Sequence, residues 1–166
     1  DVYINKKPET LTWRLQQEDG ILQPSVFIKK SVFDDVGEIS KHLEYCMDYE
    51  FWIRCIKEDK KFVFIDKEFV KAHFHIENKT FGQRGNSYKQ VCEMLYAQFG
   101  YVNHKWLWRY AEYNVEGFDG VIEHGGNREV QLKGQLQLEY VKLMKDYNTS
   151  AGVASMLASK KSEQGY

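Results

Sequence analysis

Residues 42–54, HLEYCMDYEFWIR, decide how the rest of this chain is interpreted. They place two acids, Asp48 and Glu50, at the predicted start of a helix whose apolar positions recur three and four residues apart. Acids in the first turn complement the helix dipole and stabilise a helix by about 0.3–1 kcal/mol each. An acid among aromatic side chains can also bind its proton more tightly and act as a general base. Both interpretations stay open on this stretch alone.

Composition excludes several classes of protein. The chain has 166 residues, of which 43% are apolar and 15% aromatic, enough for a core without disulfides or metals. Its formal net charge of -1 offers no basic excess for a phosphodiester backbone, so nucleic acid is not an expected partner. The three cysteines, Cys46, Cys55 and Cys92, are widely spaced and indicate buried, reduced thiols in a reducing compartment. No apolar run approaches the roughly 18 residues of a membrane span.

The first half of the chain reads as alternating strands and helices. A strand-like piece and a weak helix ending near Gly20 come first, followed by a strand over residues 21–28 that Pro24 interrupts. The next short helix is predicted to be capped by Ser31 and Asp34 and to end at Gly37. After the helix that carries the two acids, one face of which is expected to pack against a sheet, strands are predicted over residues 62–65 and 69–76.

The second half is predicted to be helical. Apolar residues recur at helical spacing from Tyr88 to Phe99, before Gly100. Residues 104–113, HKWLWRYAEY, form a second predicted helix, and a glycine-containing loop follows it. A last long helix is indicated by Leu132, Leu136, Tyr140 and Leu143.

Two further groups of residues have chemistry to offer. His73 and His75 lie two apart on a predicted strand, so they share a face that either binds a divalent metal or is simply structural. Lys79 and Thr80 lie in a glycine-bearing polar loop that either contacts a phosphate or is a solvated turn. The common nucleotide-binding glycine motifs are missing from the sequence.

Three segments in this order carry a family resemblance. They are QPSVFIKKSVFDDVG from residue 23, MDYEFWIR from residue 47 and HFHIENKT from residue 73. Together they resemble the second half of an inverting family 2 glycosyltransferase with the GT-A fold. In that family a Gln-Pro segment is followed by an Asp-Tyr-Asp helix and a strand that ends before Ser-Lys-Thr. Such enzymes transfer a sugar from a nucleoside-diphosphate sugar to an acceptor hydroxyl.

The resemblance implies roles on the acceptor side. Asp48 matches the acid proposed as catalytic base in the family. Gln23, with Pro24, matches the turn that borders the acceptor. Glu50 stands where a second Asp is usual, which favours a helix-end or acceptor-contact role. Trp52 or nearby aromatic side chains are expected to stack on acceptor sugar rings.

The resemblance also implies a donor side. His75 matches a histidine that approaches the metal-bound diphosphate, so we expect it to contribute to a divalent metal site, for Mg²⁺ or Mn²⁺. Lys79 and Thr80 match the loop that closes over the donor, and His73 is expected to contact the diphosphate. Ala72 and His73 replace a usual Tyr-Arg, which substitutes a weaker, pH-sensitive group for a guanidinium.

The expected fold is therefore α/β: the C-terminal half of a GT-A domain with a mixed sheet, over residues 1–80, followed by a helical extension over residues 81–166 in the same compact unit. The Asp-x-Asp half that binds the nucleotide is expected outside this sequence, in the same or another chain. The expected function is non-processive sugar transfer with inversion to a glycan, lipid-linked or protein acceptor, in the cytoplasm or at the cytoplasmic face of a membrane, with peripheral membrane association. The alternative is a non-catalytic glycan-binding or scaffold module derived from such an enzyme.

Overall fold

A computed structural model describes residues 2–4, 11–71, 83–117 and 127–148 of the chain. Contacts divide the chain into two compact units, Asp1–Asn78 and Lys79–Tyr166. The first unit contains strands and helices, whereas the described part of the second contains helices alone. The protein is therefore mixed α/β and mostly helical. The functional division expected at residue 80 stays a prediction, since compactness by itself assigns no function.

A small mixed sheet lies in the first unit. Its strands are β1, Val2–Ile4, β2, Phe27–Ile28, and β3, Phe62–Phe64, in the order β2-β1-β3. β1 runs antiparallel to β2, with Val2 opposite Ile28, and parallel to β3, with Val2 opposite Phe62. Each strand has only two or three residues, so the described residues do not show a sheet of GT-A size.

Pro24 explains why β2 is so short. Residues Gln23–Ser25 form a 3-10 turn, and sheet pairing begins only at Phe27. Proline has no N–H to donate to a neighbouring strand, so it is placed before the pairing rather than within it. A proline in a strand is expected at an edge, at a bulge or just before the pairing begins, and Pro24 shows the last of these. The strand predicted from residue 21 is wrong over its first six positions.

The strand predicted over residues 69–76 is not found where it can be checked. Phe69, Val70 and Lys71 have no regular secondary structure and are exposed, and residues 72–76 lie outside the described residues. The run before it is a strand, as predicted, over Phe62–Phe64. A continuous apolar run is typical of a strand covered on both faces, but these residues are half-buried.

Three helices complete the first unit: α1, Leu11–Gln17, α2, Lys30–Val36, and α3, Met47–Lys57. One face of α3 is predicted to pack against a sheet. In the structure, α3 makes its main contacts with the helices α1 and α2 instead. The Tyr49 hydroxyl donates a hydrogen bond to the carbonyl of Leu15 and ties α3 to α1. The core between these helices is made by Leu15, Val32, Cys46, Tyr49, Phe51, Trp52, Ile53 and Cys55.

The sequence predicts the C-terminal end of α2 correctly but not its start. The helix begins at Lys30, so Ser31 lies inside the first turn, and Lys29 at the N-cap makes no side-chain capping bond. The capping role predicted for Ser31 and Asp34 is therefore wrong. Gly37 ends the helix as expected, with φ of 86° and its N–H donating to the Phe33 carbonyl at 2.9 Å. A side chain at this φ would be strained.

The described part of the second unit is three helices. They are α4, Arg84–Phe99, α5, His104–Glu116, and α6, Asn127–Tyr147, and α5 packs against both of the others. All three confirm the helical periodicity of the sequence. Gly100 and Gly117 end α4 and α5 in the left-handed conformation, with φ of 75° and 68°. Asn103 caps α5 by accepting the Lys105 N–H at 3.0 Å.

Candidate active site

The first turn of α3 positions Asp48. The helix begins at Met47, so Asp48 lies among the backbone N–H groups that have no acceptor within the helix. Its Oδ1 accepts the Tyr49 N–H at 2.9 Å, and the side chain is partly exposed. This geometry suits a helix-end acid. It also keeps a carboxylate within reach of water and of a small ligand.

Glu50 is in a different environment, although it is only two residues further on. It is 8% exposed, and its Oε1 accepts a hydrogen bond from Arg54 Nε at 2.8 Å. The pair is spaced i,i+4 on one helix, with side-chain exposures of 11% for Glu50 and 25% for Arg54. Of the two roles expected for Glu50, an acid that is buried and paired in this way fits the helix-end role and does not fit the acceptor contact.

Arg54 joins α3 to the last residue of α2 and to the chain just after it. Its Nη1 donates to the Val36 carbonyl at 2.6 Å and its Nη2 to the Glu38 carbonyl at 2.8 Å. The guanidinium also lies 5.1 Å from the centre of the Phe51 ring. One cation therefore offsets the charge of Glu50 and satisfies two carbonyls at a helix end, where carbonyl oxygens lack intrahelical donors. We call Arg54 and Glu50 the α3 clamp.

Trp52 is a core residue. It is 1% exposed and packs edge-on against Phe51, with 5.6 Å between ring centres. Among the described residues, its indole Nε1 has no hydrogen-bond acceptor. Sugar stacking needs an exposed ring face, so the role predicted for Trp52 is corrected to packing in the core.

An exposed aromatic pair elsewhere in the same unit was not singled out from the sequence. Phe27 and Phe69 are 53% and 40% exposed, and their rings meet edge to face with centres 5.3 Å apart. Phe27 follows the Gln23–Ser25 turn, in which Gln23 is exposed. The position of Phe27 next to the acceptor-side motif was visible in the sequence. Its pairing with Phe69 is a tertiary contact, which no local pattern predicts.

Cys46 lies immediately before α3 and is buried. Burial raises the pKa of its thiol to about 12, and the negative charge of Asp48 adds to the effect. Burial likewise raises the pKa of Cys55 to about 11 and that of Cys92 to about 12. All three cysteines are free and buried, which confirms the prediction of core thiols. Neutral thiols of this kind are poor nucleophiles, so none of them is a candidate for catalysis.

The donor-side residues cannot be placed. His73, His75, Lys79 and Thr80 all lie in the stretch between residues 71 and 83, outside the described residues. In the part of the chain that the structure describes, no group of three or more His, Cys, Asp or Glu side chains is arranged to hold a metal ion. The described residues therefore do not by themselves make the divalent metal site that the resemblance implies.

Comparison of the chain with protein-family models, with curated proteins and with solved structures gives no significant match. Of the helices in the described ranges, none combines the length and the apolar character needed to cross a membrane.

Proposed function

We propose that this chain is the acceptor-side part of an inverting GT-A glycosyltransferase and that Asp48 is its catalytic base. The observation that carries the proposal is the contrast between the two acids of α3. Glu50 is buried and bound to Arg54, whereas Asp48 is partly exposed at the helix start. Of the two acids, Asp48 is therefore the one that an acceptor hydroxyl can reach.

The proposed reaction is a single displacement. The acceptor hydroxyl gives its proton to the Asp48 carboxylate while its oxygen attacks the anomeric carbon of the donor sugar. A new C–O bond forms as the bond from that carbon to the diphosphate breaks, and the nucleoside diphosphate leaves with the bonding electron pair. Attack from the face opposite the leaving group inverts the anomeric configuration.

Acceptor binding is assigned to exposed residues of the same unit. The amide of Gln23 can both donate and accept hydrogen bonds, which suits the hydroxyl groups of a saccharide. Phe27 and Phe69 take the stacking role first expected of Trp52, because their rings are exposed. Sugar rings have apolar C–H faces that pack on aromatic rings.

The donor side of the proposal rests on the family resemblance. His73, Lys79 and Thr80 would contact the diphosphate, and His75 would help to hold Mg²⁺ or Mn²⁺ together with ligands outside the described residues. Such an ion, when bound, offsets the negative charge of the leaving diphosphate. We assign the Asp-x-Asp motif and the nucleotide-binding strands of the family to sequence outside these 166 residues, in the same or another chain.

Sugar transfer by the natural protein that contains this chain tests the proposal. Release of nucleoside diphosphate from UDP-, GDP- and dTDP-sugars would be measured with Mn²⁺ and a panel of saccharide acceptors. Asp48→Asn keeps the shape of the side chain and removes the base, so kcat should fall by about 10²–10⁴-fold. Asp34→Asn changes an exposed acid on α2 and is the matched control, with turnover near that of the unchanged protein.

Turnover of Asp48→Asn within a few-fold of the control would remove Asp48 from the base role. Acceptor binding without any sugar transfer would instead favour the non-catalytic glycan-binding module. Phe27→Ser should raise the acceptor KM more than Leu22→Ser does, since Leu22 is an exposed apolar residue without a ring. Equal effects of these two variants would contradict the stacking role.

A further inference from the structure

Tyr49 lies between the two acids of α3, and its side chain is buried in the core. Consecutive residues of a helix point in directions about 100° apart, so Asp48 and Tyr49 leave the first turn on different sides. Asp48 is partly exposed, whereas Tyr49 is only 1% exposed and reaches α1. The residue next to the proposed base is therefore the one that attaches the start of α3 to a neighbouring helix.

The attachment is a hydrogen bond between two buried residues. The Tyr49 hydroxyl donates to the carbonyl of Leu15. Leu15 lies in the last turn of α1, and the residue four positions further on, Asp19, lies outside that helix. A carbonyl at such a position has no donor within its own helix, and the Tyr49 hydroxyl supplies one. Removal of the hydroxyl would leave this buried carbonyl without the bond, which is unfavourable.

The backbone of Tyr49 contacts the proposed base directly. Its N–H donates to Asp48 Oδ1 at 2.9 Å. Cys46, at the N-cap of α3, makes no side-chain capping bond, so the Asp48 carboxylate satisfies an N–H that a capping side chain would usually satisfy. One residue therefore binds Leu15 through its hydroxyl and Asp48 through its N–H.

Little freedom remains between these two contacts. The Glu50 N–H donates to the Cys46 carbonyl at 2.9 Å and closes the turn that contains Asp48 and Tyr49. A tyrosine side chain has only two variable torsions, and its ring is rigid. A hydroxyl that is fixed on α1 therefore limits how far the Tyr49 N–H, and the carboxylate bound to it, can move.

We propose that Tyr49 is the positioning residue for Asp48. Its hydroxyl, bound to the Leu15 carbonyl, holds the first turn of α3 where the Asp48 carboxylate meets an acceptor hydroxyl. The effect on turnover rests on the proposed sugar transfer, whereas the effect on the start of the helix does not. Tyr49 is too deeply buried to contact a substrate, so it acts through Asp48. A displacement of about 1 Å from the productive geometry can cost about 10²-fold in rate.

Replacement of Tyr49 by phenylalanine removes the hydroxyl and keeps the ring. In the natural protein that contains this chain, kcat should fall by about tenfold, while the KM values for donor and acceptor stay within about twofold. Tyr88→Phe is the matched control, because Tyr88 is 5% exposed and its hydroxyl accepts a hydrogen bond from Arg84 Nε at 3.3 Å. This control also loses a hydrogen-bonded tyrosine hydroxyl, but its kcat should not change. Equal losses of kcat in the two variants would overturn the inference.

Combination with Asp48→Asn separates positioning from a purely structural role. A residue that acts through Asp48 has nothing left to position once the base is lost. Tyr49→Phe should therefore lower kcat by about tenfold in the unchanged protein but by less than about twofold in the Asp48→Asn protein. A structural role would lower kcat by the same factor in both proteins, and that result would contradict the positioning role.

Hydrogen exchange of the Tyr49 amide gives a readout that needs no activity. This N–H is bound to the Asp48 carboxylate, so its protection reports that bond. Tyr49→Phe should make its exchange about tenfold faster, and Tyr88→Phe should leave it unchanged. If the unchanged protein transfers no sugar, the proposed function fails, and exchange alone decides the inference. Faster exchange in Tyr49→Phe than in the control then supports the positioning role, and equal exchange overturns it.

Discussion

Replacement of Arg54 by methionine tests what holds α3 in place. Methionine keeps most of the aliphatic length of the side chain and removes the guanidinium. Three bonds are then lost at once: the one to Glu50 at 2.8 Å and those to the carbonyls of Val36 and Glu38 at 2.6 and 2.8 Å. The Glu50 carboxylate stays in a position where its side chain is only 11% exposed.

The expected cost follows from that burial. Loss of one partner of a buried ion pair typically costs about 3–5 kcal/mol, because the other charge is left without compensation. Arg54 itself is 25% exposed, so water can reach the vacated space, and the lower end of the range, about 3 kcal/mol, is appropriate. With a urea m-value of about 1.5–2 kcal/mol/M, the unfolding midpoint should fall by roughly 1.5–2 M.

Urea denaturation followed by far-ultraviolet circular dichroism measures this shift. Arg14→Met is the matched control in the same unit, since Arg14 also pairs with a glutamate four residues on, Glu18, at 2.8 Å, but with exposures of 40% and 35%. That variant should lose only about 0.3–0.5 kcal/mol. Adding Glu50→Gln to Arg54→Met should recover part of the loss, because it removes the stranded charge. Equal destabilisation by the two arginine variants would refute the reasoning.

Four further substitutions in the second unit have outcomes that follow from its contacts and burial. A Cβ on Gly85 would lie 2.6 Å from the Tyr113 ring, so Gly85→Ala should lower the free energy of unfolding by about 1–2 kcal/mol in urea melts. A Cβ on Gly134 of α6 would have no atom within 4 Å, so Gly134→Ala should raise it by about 0.5–1 kcal/mol. Asn103→Ala removes the cap of α5 and should cost about 1 kcal/mol in the same assay. Burial raises the Cys92 pKa from 9.0 to about 12, so above pH 9 the unfolded state binds fewer protons than the folded state. The free energy of unfolding from urea melts should therefore fall with rising pH, and in Cys92→Ala the slope should be shallower by up to about 1.4 kcal/mol per pH unit.

Regular periodicity explains why some elements were predictable. The apolar residues of α4 recur over four turns and end at Gly100, whose left-handed conformation stops the helix. Such a pattern is local and repeated several times, so it predicts the helix whatever tertiary contacts the helix makes. The start of α2 is a single position instead. The capping pattern predicted Ser31 as the N-cap, but the helix begins at Lys30 with Lys29 as its N-cap, two residues earlier than predicted.

The site residues were harder to predict because their roles depend on how deeply each side chain is buried. Trp52 lies three residues after Tyr49, on the same helical face, so the periodicity that predicted α3 also indicated its burial. The i,i+4 spacing of Glu50 and Arg54 was equally visible in the sequence. The carbonyls of Val36 and Glu38, to which the Arg54 of the α3 clamp donates, come from a separate part of the chain, and no local pattern reveals them.

The two acids of α3 can be separated by measuring stability and turnover on the same pair of variants. Glu50→Gln removes the charge that Arg54 offsets, so it should lower the free energy of unfolding by about 1–3 kcal/mol and leave kcat near that of the unchanged protein while the fold is intact. Asp48→Asn should do the reverse, because Asp48 is partly exposed and bonded only to the adjacent N–H among the described residues. Parallel urea melts and transfer assays on the two variants give four values. The two acids belong to the same helical turn and differ chiefly in burial. If folded Glu50→Gln protein lost turnover while Asp48→Asn kept it, Glu50 would be the base and Asp48 the structural acid.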